Sequence, residues 1–125
     1  METLGVLLYG YNSEDSKAIE QSLRKITNQD IVIISGSKKE EQKVMEILDN
    51  GPEECFEDKK NKILLFLGFS EFEVGAVLKE FPKSDSLARP IFCGLTEENI
   101  NWTLSYLIEH LVEEDKYWAA KKEKE

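Results

Sequence analysis

The chain has 125 residues, of which 41% are hydrophobic and 33% are charged, proportions typical of one globular domain. Its net charge of -9 at pH 7 opposes binding to the phosphates of nucleic acids and to anionic membrane surfaces. The opening residues lack the pattern of a secretion signal, and no apolar run is long enough to span a bilayer. We therefore expect a cytoplasmic protein that binds neither nucleic acid nor membrane.

The first apolar run, Leu4–Tyr9, is typical of a strand that is buried on both faces. Asn12 or Ser13 offers an N-cap for the helical pattern that follows. Asn28 is expected to end that helix, because asparagine tolerates the left-handed backbone conformation. Ile31–Ser35 is rich in β-branched residues, which predicts the second strand.

The middle of the chain repeats this alternation. Ser37 is the predicted N-cap of a second helix, which Gly51 and Pro52 end. The polar segment 52–61 is expected to be a loop. The wholly apolar run Ile63–Leu67 predicts a third strand, again buried on both faces.

A third helix and a short fourth strand follow. Ser70 and Glu73 match a capping box, in which each side chain bonds the other residue's backbone N–H. Pro82 ends the helix, and residues 83–89 form a linker. Pro90–Cys93 begins with a proline, which cannot donate a hydrogen bond, so this strand suits the edge of a sheet.

Alternating strands and helices predict a three-layer α/β fold with a four-stranded parallel sheet. The first and third strands are the most continuously apolar and should be central, which gives the strand order 2-1-3-4. This arrangement is a truncated flavodoxin-like fold with a long C-terminal helix. We expect a single domain over residues 1–125, in which 116–125 form a protruding helix end and a charged tail.

The last helical pattern runs from about Glu97 to about Lys122, with Thr96 as its N-cap. At 1.5 Å per residue it is on the order of 38 Å long, whereas a five-residue strand covers about 17 Å. Its final turns should therefore extend beyond the sheet. One stripe at helical spacing is predicted to pack on the sheet: Ile100, Leu104, Leu107, Ile108, Leu111 and Trp118.

Aromatic side chains fall on the opposite side of this helix. Trp102 and Tyr106 are predicted to face away from the sheet, flanked by His110 and Tyr117. One of the two polar segments could cover them. Otherwise they form a contact with a second copy of the chain or with another protein, or they belong to a lid over a ligand.

A second candidate surface is the edge where parallel strands end, which is where such folds bind ligands. Five polar residues are expected to line it: Asn12, Ser13, Ser70, Thr96 and Asn99. Glycines and small hydroxyl residues also serve as ordinary turns and caps.

The sequence predicts no catalytic residue, metal site or cofactor. It contains none of the glycine-rich phosphate or dinucleotide motifs and no nucleophile elbow. Cys55 and Cys93 are expected to be reduced thiols, since nothing indicates a secreted protein. His110 is the only histidine, and a lone histidine in mid-helix is more often structural or solvated than catalytic.

The C-terminal third resembles a known family. The run Pro90–Thr96, continued by Asn99 and Trp102, resembles a family of small bacterial proteins designated domain of unknown function 3783. That family combines a short strand, the pattern Thr-x-x-Asn-x-x-Trp and a long helix with paired acids. The turn Gly68–Ser70 and the opening strand Leu7–Gly10 are also similar. The resemblance implies the fold and brings no activity with it.

These observations favour a non-enzymatic binding or regulatory module that acts through protein contacts of the C-terminal helix. The partner would be a second copy or a different protein. The alternative is a small-ligand binder or an enzyme with its site at the carboxyl edge of the sheet.

Overall fold

Strands and helices alternate along the chain as their apolar patterns predict. The computed structural model describes residues 4–51, 55–83 and 87–123, without the side chains beyond Trp118. Within these residues the elements are β1 (Leu4–Tyr9), α1 (Ser13–Thr27), β2 (Ile31–Ser35), α2 (Val44–Asn50), β3 (Ile63–Leu67), α3 (Glu71–Glu80), β4 (Ile91–Gly94), a 3-10 turn (Asn99–Asn101) and α4 (Leu104–Glu123).

The four strands form one sheet in the predicted order, β2-β1-β3-β4. The prediction that all strands run parallel was wrong. β1 pairs with β2 in parallel and β3 pairs with β4 in parallel, but β1 and β3 are antiparallel, with Val6 opposite Phe66. The sheet is therefore mixed, and the fully parallel, flavodoxin-like arrangement does not apply.

The connection from β2 to β3 explains the reversal. A helix from Ser37 to Asn50 would be about 21 Å long, enough to return the chain across a strand. Instead α2 begins at Val44 and is about 10 Å long. Lys38 has a φ of 64°, a left-handed conformation that cannot continue a right-handed helix. The chain therefore stays at the edge where β1 and β2 end, and β3 starts from there.

The segment before β3 is held at this same edge. The backbone N–H of Lys59 donates to the Gly10 carbonyl over 2.9 Å. The backbone N–H of Glu57 donates to Ser37 Oγ over 2.9 Å, and Ser35 Oγ donates to the Cys55 carbonyl. These bonds join residues 55–59 to the ends of β1 and β2.

Each strand divides its side chains between two apolar layers, because successive residues point to opposite faces. On one face, Val6, Leu8 and Leu64 pack with Ile19 and Leu23 of α1, and Val77 of α3 joins the same cluster. The second cluster lies on the other face and includes side chains of α2 and α4: Leu7, Tyr9, Ile34, Val44, Ile47, Ile63, Leu65, Leu104, Leu107, Ile108 and Leu111. The three-layer α/β prediction is confirmed at this level.

The predicted ends of α1 and α3 are confirmed. Asn12 Oδ1 accepts from the Asp15 backbone N–H over 2.8 Å, and Asn28 has a φ of 56° directly after α1. Ser70 and Glu73 form both bonds of the capping box, over 2.9 and 3.2 Å. Backbone bonding to Ser70 is the main cause of a lowered pKa at the Glu73 carboxyl.

The last helix begins later than predicted. Thr96 and Asn99 do bond reciprocally, over 2.8 and 3.0 Å, but these bonds lie at the 3-10 turn and do not cap α4. Trp102 then adopts an extended backbone, and its carbonyl accepts from the Val44 N–H over 2.9 Å. Thr103 forms a β-bridge with Lys43. This pairing with the start of α2 interrupts the helix that the spacing predicted.

α4 crosses one face of the sheet and extends past it. Leu104 lies so close to the backbone of Gly36 that a Cβ there would be 2.8 Å from Leu104 Cδ2. Further along, Leu111 lies beside Ile91 of β4. The described residues 113–118 are all exposed, as expected for turns that the sheet cannot cover. The predicted tail beyond Glu123 lies outside the described residues.

Candidate functional site

The mixed sheet separates the five polar residues predicted to share one edge. Asn12 and Ser13 follow β1 and lie at the edge where β1 and β2 end. Ser70 follows β3, and Thr96 follows β4, so both lie at the opposite edge. A single ligand site lined by all five side chains is therefore ruled out by strand direction.

The first edge is filled by the chain itself. Gly10 has a φ of 94°, and a Cβ at this position would lie 2.1 Å from the Asn61 carbonyl oxygen. Lys62 Nζ donates to the Gly10 carbonyl over 2.9 Å and lies 5.5 Å from the centre of the Tyr11 ring. Asn12 Oδ1 serves as the cap of α1. What looked like an open glycine turn is a point of close backbone contact.

A polar cluster that the sequence did not predict lies beside this edge. Tyr9 OH donates to Glu40 Oε2 over 2.8 Å. Burial, followed by the bond to Glu40, raises the pKa of Tyr9 to about 12. Lys39, which precedes Glu40 in the sequence, is buried. The pattern of segment 36–43 had predicted the start of a helix instead. The only feature of the sequence that could have indicated this polar cluster was the run of charged residues after Ser37.

The opposite edge contains the most heavily bonded of the predicted residues. Asn99 is only 4% exposed. Its Oδ1 accepts from the Thr96 N–H over 2.8 Å, and its Nδ2 donates to the Gly94 carbonyl over 3.0 Å. Nδ2 also lies 3.7 Å from Cys93 Sγ. Thr96, Asn99 and Ser70 thus direct their polar atoms into turns and caps.

The two cysteines are free, and neither is fully buried. Burial raises the pKa of the Cys93 thiol, and the nearby Glu114 carboxylate adds to the effect. A thiol that holds its proton is a poor nucleophile. The described residues contain no group of three or more His, Cys, Asp or Glu side chains that could hold a metal ion. None of the described helices is long and apolar enough to cross a bilayer.

Trp102 is half-buried and does not lie on α4, so its predicted place on the outer face of that helix was wrong. It packs against the apolar cluster beneath α2 and α4. Its ring meets Tyr106 edge-on at a centroid distance of 4.8 Å and His110 at 5.1 Å. Neither polar segment supplies a described contact to it; the start of α2 bonds its backbone instead.

The exposed side of α4 carries a straight row of side chains, which we call the outer stripe: Tyr106, His110, Glu113 and Tyr117. Their spacing of four, three and four residues places them on one side of a helix. All four are exposed, Tyr106 to 52% and Tyr117 to 62%. His110 Nε2 lies 3.6 Å from Glu114 Oε2, so a protonated His110 would form an ion pair one turn along.

Trp118 lies on the inner side of α4 but beyond the sheet. The prediction that it packs on the sheet was wrong, because its side chain is 54% exposed and only borders a cleft that Ile91 and Phe92 of β4 also line. Tyr117 meets it edge-on at 5.4 Å. This half of α4 is also rich in acidic residues: Glu109, Glu113, Glu114 and Asp115.

Comparison with known families gave a match in the C-terminal half of the chain. The family model described as domain of unknown function (DUF3783) matches residues 62–118. This segment of the chain is similar to that family. Neither the comparison with curated proteins nor the comparison with solved structures gave a match.

The DUF3783 segment extends from the start of β3 to Trp118. It contains the Gly68–Ser70 turn, the Thr96–Asn99 turn and the whole outer stripe. The opening strand Leu7–Gly10, which also looked similar, lies outside the match. The matched segment therefore contains the parallel pair β3 and β4 and the helices that follow each of them.

Proposed function

We propose that this protein is a non-enzymatic binding or regulatory module that contacts another protein through the outer stripe of α4. One observation carries the proposal: two tyrosines, each more than half exposed, lie in one row on a helix anchored in the core. Tyrosine supplies a large contact area and a polar hydroxyl, and it is enriched where protein interfaces have their strongest contacts.

The surroundings of the stripe support a pre-formed contact surface. The half-buried Trp102 ring supports Tyr106 and His110 from one side. Side chains that are already held in place lose less conformational entropy when a partner binds. Leu107 and Leu111, on the inner side of the same turns, are buried and fix the rotation of the helix.

The partner in this proposal is a second copy of the chain or a different protein. The spacing of the outer stripe matches the seam of two packed helices, and such a seam accepts either. The alternative of a ligand or catalytic site at the carboxyl edge loses its main support, because the residues expected there lie at two opposite edges.

A cytoplasmic location and a bacterial origin belong to the same proposal. The two free cysteines suit a reducing compartment, in which thiols persist. The acidic net charge gives no support for attachment to nucleic acid or to an anionic membrane.

A photo-crosslinking residue placed at Tyr117 tests the proposal in living cells. We expect discrete crosslinked products, whose mass separates a second copy from another protein. The matched control carries the probe at Lys17, which is also exposed and lies on α1. Adding Tyr106→Ala should reduce the product several-fold. Absence of discrete products at positions 106, 113 and 117, or equal products at Lys17, would contradict the proposal.

A further inference from the structure

A small cleft lies between the far end of α4 and the outermost strand. It has a volume of about 120 Å³ and is lined by Ile91 and Phe92 of β4 and by four residues of α4: Leu111, Glu114, Asp115 and Trp118. The helix residues recur at intervals of three, four and seven, so one side of α4 forms a continuous wall. This side is not the outer stripe.

The cleft lies beside the edge of β4 and not on a face of the sheet. Ile91 and Phe92 are consecutive, so their side chains point to opposite faces. Ile91 packs with the apolar cluster that includes side chains of α2 and α4. Phe92 packs with the cluster on the other face, which includes side chains of α1 and α3. A cavity that contacts both residues must therefore run along the outer border of the strand.

The backbone of β4 offers hydrogen-bonding groups to this cleft. The N–H of Ile91 donates to the Lys62 carbonyl, towards β3, over 2.8 Å. Because hydrogen-bonding directions alternate along a strand, the N–H and carbonyl of Phe92 point away from β3. Among residues 4–51, 55–83 and 87–123, no strand pairs with this outer edge.

The part of the β4 edge that could pair with an added strand is short. Pro90 has no N–H to donate, and the Gly94 carbonyl already accepts from Asn99 Nδ2 over 3.0 Å. An added strand would therefore bond mainly at Phe92. Such a short edge blocks extended pairing between sheets, which is how proteins limit aggregation, and still admits one specific segment.

Size and charge indicate what would fit. The cleft is smaller than the roughly 300–1,000 Å³ of sites for drug-sized ligands, so it suits one apolar side chain. Glu114 and Asp115 border it, and Asp115 has no ion pair with any described residue. The whole chain carries a charge of -9. Both features favour a cation beside the apolar group.

We propose that the β4 edge binds an extended segment of a partner protein that presents an aliphatic side chain next to a lysine or arginine. The segment's backbone pairs with Phe92, its aliphatic side chain lies against Leu111 and Trp118, and its cation faces Asp115. This mode of recognition combines main-chain hydrogen bonds with a side-chain pocket. It goes beyond the function proposed above, since it uses a different side of α4.

A library of random ten-residue peptides, displayed on phage and selected on the full chain, provides the test. We expect the enriched peptides to share an aliphatic residue beside a lysine or arginine. A synthetic peptide of that consensus should shift the NMR signals of the Phe92 amide and the Trp118 indole. It should also slow hydrogen exchange at the Phe92 amide.

Three variants decide where the peptide binds. Trp118→Ala and Asp115→Lys should each weaken binding by about tenfold or more, and Phe72→Ala, which removes an exposed aromatic side chain from α3, should leave it unchanged. Circular dichroism checks that all three variants remain folded. Unchanged binding in Trp118→Ala, or an equal loss in Phe72→Ala, would overturn this inference. Failure to enrich any aliphatic-basic consensus would overturn it without touching the outer-stripe proposal.

Discussion

Asn99 shows at the level of one residue how a predicted site residue becomes a structural one. The pattern Thr-x-x-Asn drew attention to it as a polar residue at the end of a strand. In the fold it is buried and bonds the backbone of both Thr96 and Gly94. Sequence spacing predicts the reciprocal bond, because both partners are local. It does not predict burial, which depends on the elements packed around the turn.

Replacing Asn99 with alanine should lower the free energy of unfolding by about 2 kcal/mol, because the buried Asn99 side chain loses its hydrogen bonds to the Thr96 N–H and the Gly94 carbonyl. Urea unfolding measures the change. Asn101→Ala is the matched control, since Asn101 is exposed and donates only to the Glu97 carbonyl over 3.2 Å. We expect it to cost no more than about 0.5 kcal/mol. Equal effects of the two variants would contradict the structural role of Asn99.

Gly10 and Gly75 form a second pair at this scale. Gly10→Ala should destabilise the protein by about 3 kcal/mol or more, because a Cβ would meet the Asn61 carbonyl oxygen in a backbone conformation that strains other residues. Gly75→Ala should stabilise it by about 0.5–1 kcal/mol, because open space surrounds this position within α3. Thermal unfolding of both variants gives the signs, and a stable Gly10→Ala protein would contradict the close contact at Asn61.

At the level of elements, boundaries set by local chemistry were predicted well. The strand bounds of β1, β2 and β3 follow from their apolar runs, and α1 and α3 begin at side chains that bond the first turn. The two wrong boundaries are the starts of α2 and α4. The left-handed backbone of Lys38 breaks the helical pattern before α2, and the bridge between Lys43 and Thr103 sets the start of α4. Neither feature is visible in the apolar periodicity.

α4 itself yields a prediction about its end. Ending the chain at Asp115 removes Tyr117, Trp118 and all that follows, the part predicted to protrude. Because residues 113–118 are exposed, the midpoint of urea unfolding should change little, while the helical circular dichroism signal falls. A large drop in the midpoint would mean that the end of α4 contributes to the core, contrary to its exposure.

At the level of the whole molecule, the direction of β3 decides which residues can form a site. Order within the sheet follows from burial, since the most apolar strands occupy the centre. Direction follows from the path of a connection, and here α2 is too short to recross the sheet. For this reason the five polar residues predicted to line one site do not lie together, although each of them lies near the end of a strand or the start of a helix or turn.

Spin labels test this arrangement directly. In a chain with Cys55→Ser and Cys93→Ser, labels placed at Asn12 and Ser70 should lie about one strand length farther apart than labels at Ser70 and Thr96, on the order of 17 Å. Pulsed electron paramagnetic resonance measures both distances. Similar distances for the two pairs would indicate that all strands end at one edge, as in a parallel sheet.

The sequence by itself determined the class of fold, the strand order, the caps of α1 and α3 and the uncovered turns at the end of α4. Each of these depends on local bonding, periodicity or length. Tertiary structure alone decided the reversal of β3, the burial of Asn99 and the place of Trp102 against the core. Only it created the cleft beside β4, because contacts between distant segments leave no periodic signal in the chain.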